Sequence, residues 1–286
     1  MVSFLHVINA ARVKYPVGSY GVFDFNVPFI KKEGSMKEPI SARTRGLSGN
    51  TLKMIAIVTM LIDHIGVAVI ENGVLRYQTV RPAYEAFGMP GGSMWTVMDL
   101  ALRTMGRIAF PIFCFLLVEG FFHTRDIKKY GTRLFLFALI SEIPFDLALF
   151  GKWYYPDYQN VYVTLFIGLC VLYWYEKFSG DLVRRTLIFF AGCVAAVLLK
   201  CDYNIIGIAM ILLFYIYYGN KKMQTIFAGI LAAYESLGCF GAAILASIPI
   251  RMYNGTRGKG NFKYFFYWFY PAHLILLYIL RLFIIQ

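Results

Sequence analysis

The sequence predicts an all-α fold, a polytopic bundle of transmembrane helices, and three observations support this class. Apolar residues make up 59% of the 286 residues and charged residues only 15%, against roughly 45 to 50% and about 25% in soluble domains. The mean hydropathy of +0.59 fits several apolar stretches, each of about 20 residues, which is enough to cross a hydrocarbon layer roughly 30 Å thick. Lysine and arginine fall in short segments between these stretches, as in cytoplasmic loops. A water-soluble enzyme is therefore not expected.

The net charge and the cysteines exclude two other classes. A formal charge of +12 would suggest nucleic acid for a soluble protein, but here the loops of a membrane protein account for it. We therefore expect no nucleic-acid partner. The five cysteines lie in apolar segments without a CxxC pair, so we expect neither disulfides nor a metal site. They are Cys114, Cys170, Cys193, Cys201 and Cys239.

The first 46 residues are more polar than the rest, and we expect an N-terminal arm before a membrane domain of residues 47–286. This arm carries three prolines and lacks an apolar segment followed by a small-residue cleavage site. Gly34-Ser35-Met36 is typical of a cloning scar before an initiator methionine. A tag remnant, a mis-assigned start and a flexible arm all remain open, and we assign this segment no function.

The distribution of basic residues predicts how the apolar stretches cross the membrane. These stretches are 52–70, 104–122, 133–150, 161–176, 186–200, 203–218, 224–250 and 265–285. Because the loops on both sides of 224–250 are basic, this stretch must cross an even number of times. We expect two short helices with a break at Glu235-Ser236-Leu237-Gly238, nine crossings and a cytoplasmic N-terminus. One long tilted helix is the alternative, with eight crossings and the basic 251–263 loop outside.

Ionisable side chains within the spans are the first candidates for function. Each costs on the order of 2.5 to 3.5 kcal/mol near the bilayer centre. Asp63 and His64 lie in the first span and, as helix neighbours, point about 100° apart, so each should meet partners on other helices. A histidine can take a proton from an amine or hydroxyl. The alternative is a neutral histidine that bonds a carbonyl and joins two helices.

Two pairs of like charges have helical spacing. Arg103 and Arg107 are four residues apart, as are Glu142 and Asp146, so each pair shares a helix face. We expect the basic pair to meet the acidic pair, either as structural ion pairs or as part of a site. A proline at 144 should kink the third span between the two carboxylates.

The cytoplasmic side carries a second group of candidates. Glu119 and His123 end the second span, and a glycine-rich basic segment, residues 253–260, precedes the last. Glycines allow backbone N–H groups to approach a phosphate, and Arg and Lys supply charge. An ordinary basic loop is the alternative, since no Walker or GxGxxG pattern is present.

The order of these motifs over about residues 47–286 resembles the TraX family. The matching segments are Leu52–Ala56, Thr59–Gly66, Gly106–Phe113, Glu119–Thr124, Lys129–Leu134, Ser141–Asp146, Asn160–Val161, Asp202–Gly207 and Phe269–Leu274. The family is named for a conjugation protein that acetylates the N-terminus of F-type pilin. It is similar to the wider group of transmembrane acyltransferases, which includes polysaccharide O-acetyltransferases and heparan-alpha-glucosaminide N-acetyltransferase.

The resemblance implies a multi-pass acetyltransferase of a bacterial-type cell membrane that uses cytoplasmic acetyl-CoA. His64 matches the position of the essential first-span histidine and would act as general base or acyl carrier. We expect Asp63, Glu142 or Asp146 to hold it, and Arg107 to orient that carboxylate or to stabilise charge on the thioester oxygen. The acceptor stays open between a peptide N-terminus, a glycan and a small molecule, and pilin itself does not follow. The oligomeric state is equally open.

We assign the remaining candidates to two binding regions. Residues expected to bind acetyl-CoA are Glu119, His123, Arg251, Tyr253, Asn254, Arg257, Lys259 and His273. Residues expected to line the acceptor side are Asn160, Asp202 and Tyr203.

A transporter or flippase is the alternative function, because charged residues at a helix break also suit substrate coupling. An acyltransferase should bind CoA and turn it over, whereas a transporter should not. A catalytically silent scaffold is a third class, which the buried charges disfavour.

Overall fold

The structure of the protein, a computed structural model, describes residues 46–75, 94–260 and 262–285. Within these ranges the chain forms helices and two isolated β-bridges but no strand. The predicted all-α class is therefore confirmed for this part of the chain. Apart from Gly46, the predicted N-terminal arm lies outside the described residues.

The helices follow the predicted apolar stretches, with one addition before the second stretch. They are α1 Gly49–Ile65, which continues as the π-helical segment Gly66–Val74, α2 Met94–Gly106, α3 Ala109–His123, α4 Ile127–Phe150, α5 Val161–Lys177, α6 Leu182–Leu198, α7 Asn204–Ile216, α8 Lys221–Glu235, α9 Ser247–Arg251 and α10 Lys263–Ile285. Two short 3₁₀ segments, Leu237–Cys239 and Ala242–Ala246, lie between α8 and α9.

Within the described ranges, three continuous helical stretches are long and apolar enough to cross a membrane. They are Gly49–Val74, Met94–His123, which combines α2 and α3, and Tyr264–Ile284. Leucines on α4, α6 and α10 are 58 to 63% exposed, which is typical of a surface that faces lipid: Leu139, Leu187 and Leu276. The chain is a helical membrane protein, and the count of nine crossings stays a prediction.

The predicted break in the 224–250 stretch is present. Helix α8 ends at Glu235, and the Ser236 hydroxyl donates to the Ala232 carbonyl at 2.8 Å and accepts the Ala243 N–H at 3.0 Å. One long helix through this stretch is therefore wrong. The returning arm is a 3₁₀ segment followed by the five-residue α9 rather than a second regular α-helix.

Helix α1 lies between two groups of neighbours. It packs against α2 and α3 on one side and α10 on the other, while α10 also runs along α4. A Cβ atom at Gly106 would overlap the Asp63 side chain, so glycine allows the end of α2 to approach α1 closely. This contact brings the charged residues of the two helices together.

The two ends of the bundle differ in charge. We call the basic end the one formed by the start of α1, the end of α3 and residues 252–260. There the N–H groups of Gly49 and Asn50 donate to the carbonyls of Thr256 and Arg257 at 2.7 and 2.9 Å. The turn at 217–220 also lies toward this end, because Tyr218 stacks on Phe122 of α3 with centroids 3.9 Å apart. The turn at 178–181 lies beside it, because Tyr215 on α7 bonds Glu176 on α5. At the opposite end, Gln159 forms a bridge with Cys201.

Candidate functional site

An open cleft lies where α1, the junction of α2 and α3, α10 and the turn before α7 meet. Its empty volume, including the space at its mouth, is about 380 Å³. Its polar lining residues are Asp63, His64, Asp202, Tyr203 and Tyr270. Its apolar lining residues are Met60, Gly106, Ala109, Phe110, Phe113 and Val161. The cleft, called the His64 cleft below, thus brings predicted catalytic and acceptor-side residues together.

His64 is buried and its ring nitrogen Nδ1 lies 2.7 Å from Nε2 of His273 on α10. The two rings are nearly parallel, with centroids 5.0 Å apart. The other ring nitrogen of His273, Nδ1, lies 2.7 Å from the carbonyl oxygen of Phe269. Both nitrogens of His273 are therefore engaged, one of them by His64, and its predicted place beside acetyl-CoA stays a prediction.

A proline inside α10 explains part of this local arrangement. Pro271 has no N–H, so the carbonyl four residues earlier, on Tyr267, loses its helical partner. The Tyr162 hydroxyl on α5 donates to that carbonyl at 3.3 Å. This bond ties the turn of α10 that carries Tyr270 and His273 to a neighbouring helix.

Asp63 does not contact His64 but forms an ion pair with Arg103. Arg103 Nη1 lies 2.5 Å from Asp63 Oδ2, and its Nε lies 3.1 Å from Glu71 Oε1 in the π-helical segment. Asp99, also buried, lies close to this group through its interaction with Glu71. The expectation that Asp63 holds His64 is therefore wrong, since Asp63 is held by Arg103.

The predicted meeting of the basic and acidic pairs is also wrong. Arg107 lies at the junction of α2 and α3, where its Nη1 is 3.8 Å from Glu235 Oε1. Glu142 instead accepts a hydrogen bond from the Asn160 side chain, and Asp146 accepts the Tyr155 N–H at 2.7 Å. The two acidic side chains thus bind the loop between α4 and α5. They are not brought to His64.

Of the three acceptor-side candidates, two line the His64 cleft and one does not. Asn160 is fully buried, caps α5 by accepting the Tyr162 N–H at 3.0 Å, and does not line the cleft. Asp202 and Tyr203 do line it. The Tyr158 hydroxyl donates to Asp202 at 3.0 Å, yet burial raises the pKa of this turn residue to about 7.

The turn that carries Asp202 and Tyr203 has strained backbone. Lys200, Tyr203 and Asn204 adopt positive φ angles of 53°, 64° and 37°, although none is glycine. The Tyr203 ring stacks on Phe110 with centroids 3.5 Å apart, which fixes it against the cleft wall. Strain of this kind persists only where the surrounding structure compensates for it, and it concentrates at functional sites.

At the basic end, several predicted acetyl-CoA residues form a second cluster. The Tyr253 hydroxyl donates to Glu119 at 3.3 Å, Lys221 donates to the Tyr253 carbonyl at 2.7 Å, and His123 lies 3.5 Å from Glu119. Burial and the Glu119 carboxylate raise the pKa of Tyr253.

The glycine-rich segment wraps around the start of α1. The Asn254 side chain accepts the Thr256 N–H at 3.0 Å, so it shapes the turn. Arg251, Arg257 and Lys259 are exposed around it. The N–H groups of Gly49 and Asn50 at the start of α1 already donate to carbonyls of this segment, so these two groups are not available to a phosphate.

Within the described ranges, no group of three or more His, Cys, Asp or Glu side chains is placed to hold a metal ion. The five cysteines are free.

Sequence reasoning left three charged or polar residues at or near the site unassigned: Glu71, Asp99 and Tyr270. Glu71 and Asp99 were missed because the predicted spans end at residue 70 and resume at 104, whereas the helices extend to Val74 and begin again at Met94. The i, i+4 spacing of Asp99 and Arg103 was the available signal. These two charges lower the local hydropathy, so the segment was not predicted to be part of a span and its spacing was not considered.

Comparisons with known proteins identify one family model and two similar proteins. The model of the TraX protein family matches residues 48–281, a range that includes the whole His64 cleft. The chain is 30% identical over 261 aligned residues to the probable fimbrial assembly protein FimC, serogroup H1, of Dichelobacter nodosus, which covers 82% of this chain and 96% of that protein. It is 27% identical over 207 residues to the uncharacterized protein RP591 of Rickettsia prowazekii (strain Madrid E), or 69% of this chain and 62% of that protein. No solved structure matches it.

Proposed function

The chain belongs to the TraX protein family, and on that premise we propose that it is an integral membrane acyltransferase. It moves an acetyl group from cytoplasmic acetyl-CoA to an amine or hydroxyl acceptor. The protein would lie in a bacterial cell membrane with nine crossings and a cytoplasmic N-terminus. The concentration of Lys and Arg at the basic end supports this orientation.

The observation that carries the proposal is the position of His64. This histidine is 9% exposed, lines the cleft, and has one ring nitrogen engaged by His273. In the described part of the chain, its Nε2 has no hydrogen-bond partner. A buried imidazole with a free nitrogen at the wall of a cleft can act on a substrate placed there.

The proposed reaction uses Nε2 of His64 as the general base. The acceptor amine or hydroxyl attacks the thioester carbonyl carbon while His64 Nε2 takes the proton that the acceptor loses. The carbon–sulfur bond then breaks, and the CoA thiolate takes the proton back from His64. Transient transfer of the acetyl group to Nε2 itself would use the same atom.

Charge that develops on the thioester oxygen needs a donor nearby. Arg107 directly follows Gly106, which lines the cleft, and its distant contact with Glu235 leaves it incompletely paired. We propose that Arg107 supplies this charge stabilisation.

We propose that acetyl-CoA enters from the basic end. The exposed cations Arg251, Arg257 and Lys259 would bind its phosphates. The cluster of Glu119 and Tyr253 lies on the inner side of this segment, where the pantetheine arm would pass.

The acceptor is proposed from the relatives. The printed name of the D. nodosus protein concerns fimbrial assembly. We propose a subunit of a surface fibre, modified at an exposed amine or hydroxyl, as the first acceptor class to test.

The decisive experiment measures donor binding and turnover separately on the full chain in lipid nanodiscs. Radiolabelled acetyl-CoA is supplied with a fibre-subunit peptide, and labelled product and free CoA are counted. Thermal stability is measured with and without acetyl-CoA, since a ligand at about a hundredfold over its Kd adds about 2.7 kcal/mol.

His64→Ala should abolish turnover and keep the stabilisation by acetyl-CoA. Leu139→Ala, which shortens a lipid-facing side chain that is 58% exposed, is the matched control and should keep both. A fully active His64→Ala protein would contradict the mechanism. Failure of the intact protein to bind acetyl-CoA would contradict the acyltransferase and favour a transporter.

A further inference from the structure

We propose that His273 is a positioning residue that fixes the tautomer of His64, so that His64 keeps its proton on Nδ1 and presents an unprotonated Nε2 to the cleft. This inference rests on the proposed acyl transfer for its catalytic meaning. The arrangement itself is argued from the contacts of the two histidines.

The first step concerns the contact between His273 and the backbone. The Phe269 carbonyl oxygen can only accept a hydrogen bond. His273 Nδ1, 2.7 Å away, must therefore carry a hydrogen and donate it.

The second step concerns the other nitrogen of His273. This ring is only 5% exposed, and a buried imidazolium without a carboxylate partner is costly, so the ring is neutral. A neutral imidazole with a proton on Nδ1 has a lone pair on Nε2. His273 Nε2 therefore accepts at the 2.7 Å contact with His64 Nδ1.

The third step follows for His64. Its Nδ1 is the donor, so in the neutral ring the lone pair lies on Nε2. An isolated imidazole side chain in water prefers the other tautomer, with the proton on Nε2. The contact with His273 thus imposes the form that a general base or an acyl carrier requires.

The surroundings hold both rings in place. The Phe269 ring stacks on His273 with centroids 4.9 Å apart, and Tyr270 packs edge-on against His64 at 5.9 Å. The neighbouring carboxylate, Asp63, is bound by Arg103 and therefore does not orient His64. The neutral side chain of His273 has that role instead. The sequence of contacts from Phe269 through His273 to His64 corresponds to the way an acidic residue orients the base in a catalytic triad.

Two substitutions separate the contacts of His273. In His273→Gln, the side-chain amide can reach the position of Nε2, where its oxygen can accept from His64. In His273→Asn, the shorter amide reaches only the position of Nδ1, which keeps the bond to Phe269 but loses His64. Leu276→Ala on the lipid-facing side of α10, 63% exposed, is the control.

We expect His273→Asn to lower kcat for acetyl transfer by about 10²- to 10⁴-fold, the range attributed to a correctly placed general base. His273→Gln should recover a large part of that loss, and KM for acetyl-CoA should change little in either variant. Equal losses in the Gln and Asn variants would overturn the positioning role, because a purely structural histidine would not distinguish them.

A spectroscopic measurement tests the tautomer without any activity. The chain has four histidines, so ¹⁵N-histidine labelling gives few signals, and the His64→Ala protein identifies those of His64. In the intact protein at alkaline pH, His64 should show a protonated Nδ1 and an unprotonated Nε2. In His273→Asn it should revert to the Nε2-protonated form.

The two proposals fail in different ways. A wild-type protein with His64 protonated on Nε2 would overturn the role of His273, whatever the activity is. A wild-type protein with the expected tautomer but no acetyl transfer would support the positioning contact and refute the proposed function.

Discussion

Asp63 and His64 are adjacent in the chain, yet their side chains meet different helices and serve different needs. Asp63 is bound by Arg103 on α2, and His64 by His273 on α10. A charge buried among helices is stable only when it is paired, so the ion pair allows Asp63 to lie beside the cleft. His64 contacts a second histidine, and its Nε2 has no hydrogen-bond partner among the residues that the structure describes.

Arg103 is the residue whose loss should be most costly. Its side chain is 7% exposed and bridges Asp63 and Glu71. Arg103→Ala would remove the cation that pairs with these two buried carboxylates, which typically costs about 3 to 5 kcal/mol. Arg103→Lys keeps the charge but loses the fork that reaches both partners, so its unfolding free energy should be intermediate.

The measurement is the free energy of unfolding in mixed micelles. Arg184→Ala is the control, because the ion pair of Arg184 with Asp181 is exposed and should contribute little. Equal stability of the Arg103→Ala and Arg184→Ala proteins would show that the bridge is not important.

Asp202 should make stability depend on pH. Its pKa is raised from 3.8 to about 7 in the folded protein. Between these values the unfolded chain loses this proton while the folded chain keeps it. The contribution is therefore fully present below about pH 4 and is lost as the pH rises to about 7. Asp202→Asn should reduce the decline in thermal midpoint between about pH 4 and 7. An unchanged decline would show that a group other than Asp202 causes the pH dependence of stability.

Residue-level prediction from the sequence found ionisable side chains that lie in or beside the His64 cleft, but not their partners. The cost of burying charge in a membrane identified Asp63, His64 and Arg107. The contact of His64 with His273, however, joins residues 209 positions apart, and no local pattern in the chain specifies such a pairing. The ion-pair prediction failed for the same reason, since helix spacing gives a face but not the neighbour that the face meets.

At the scale of elements, α10 shows how a helix defect is compensated. Pro271 removes the partner of the Tyr267 carbonyl, and the Tyr162 hydroxyl replaces it. The compensation comes from a different helix, α5. The defect therefore strengthens the attachment of α10 at the turn that carries His273.

A double-mutant cycle should reveal this compensation. Tyr162→Phe leaves a buried carbonyl without a partner, which should cost about 1 to 3 kcal/mol of unfolding free energy. In a Pro271→Ala background the new N–H can bond the same carbonyl, so Tyr162→Phe should cost less. Identical costs in the two backgrounds would show that the hydroxyl and the proline are not coupled.

Element boundaries were predictable where a single signal dominated. A polar residue followed by glycine predicted the end of α8 at Glu235, and apolar runs predicted α4, α5 and α10. Helix α2 was missed because its charged residues reduce hydropathy, although Arg103 binds Asp63 and Glu71 within the bundle. Composition cannot distinguish a solvated charge from a paired one.

At the scale of the whole molecule, the separation of the basic end from the opposite end predicts how the protein lies in the membrane. Lys259 lies at the basic end and Lys152 in the loop after α4 at the other. With nine crossings and the N-terminus inside, Lys259 should face the cytoplasm and Lys152 the exterior.

Cysteine labelling in intact cells tests this arrangement. Lys152→Cys should react with a membrane-impermeant maleimide, whereas Lys259→Cys should react only after permeabilisation. The five native cysteines, four of them buried, serve as the background in the unsubstituted protein. Labelling of Lys259→Cys from outside would instead show that the basic end faces the exterior, which would contradict the predicted orientation.

The fold class followed from composition because a bilayer imposes the same requirement on every spanning segment. The site could be located only in part. Its first-span residues stand out from an apolar background, whereas the strained turn at Lys200 to Asn204 depends on the packing of Tyr203 against Phe110. No sequence pattern indicates a strained backbone of this kind.

The two contacts made by adjacent residues of α1 also imply an order of biogenesis. Asp63 and Arg103 are 40 residues apart, whereas His64 and His273 are 209 apart. During synthesis from the N-terminus, the ion pair can form as soon as α2 enters the membrane. The histidine contact must wait for the last helix. We therefore expect a nascent chain that stops before α10 to be inserted with the charge of Asp63 already paired, whereas the contact of His64 with His273 forms only when the final segment is translated.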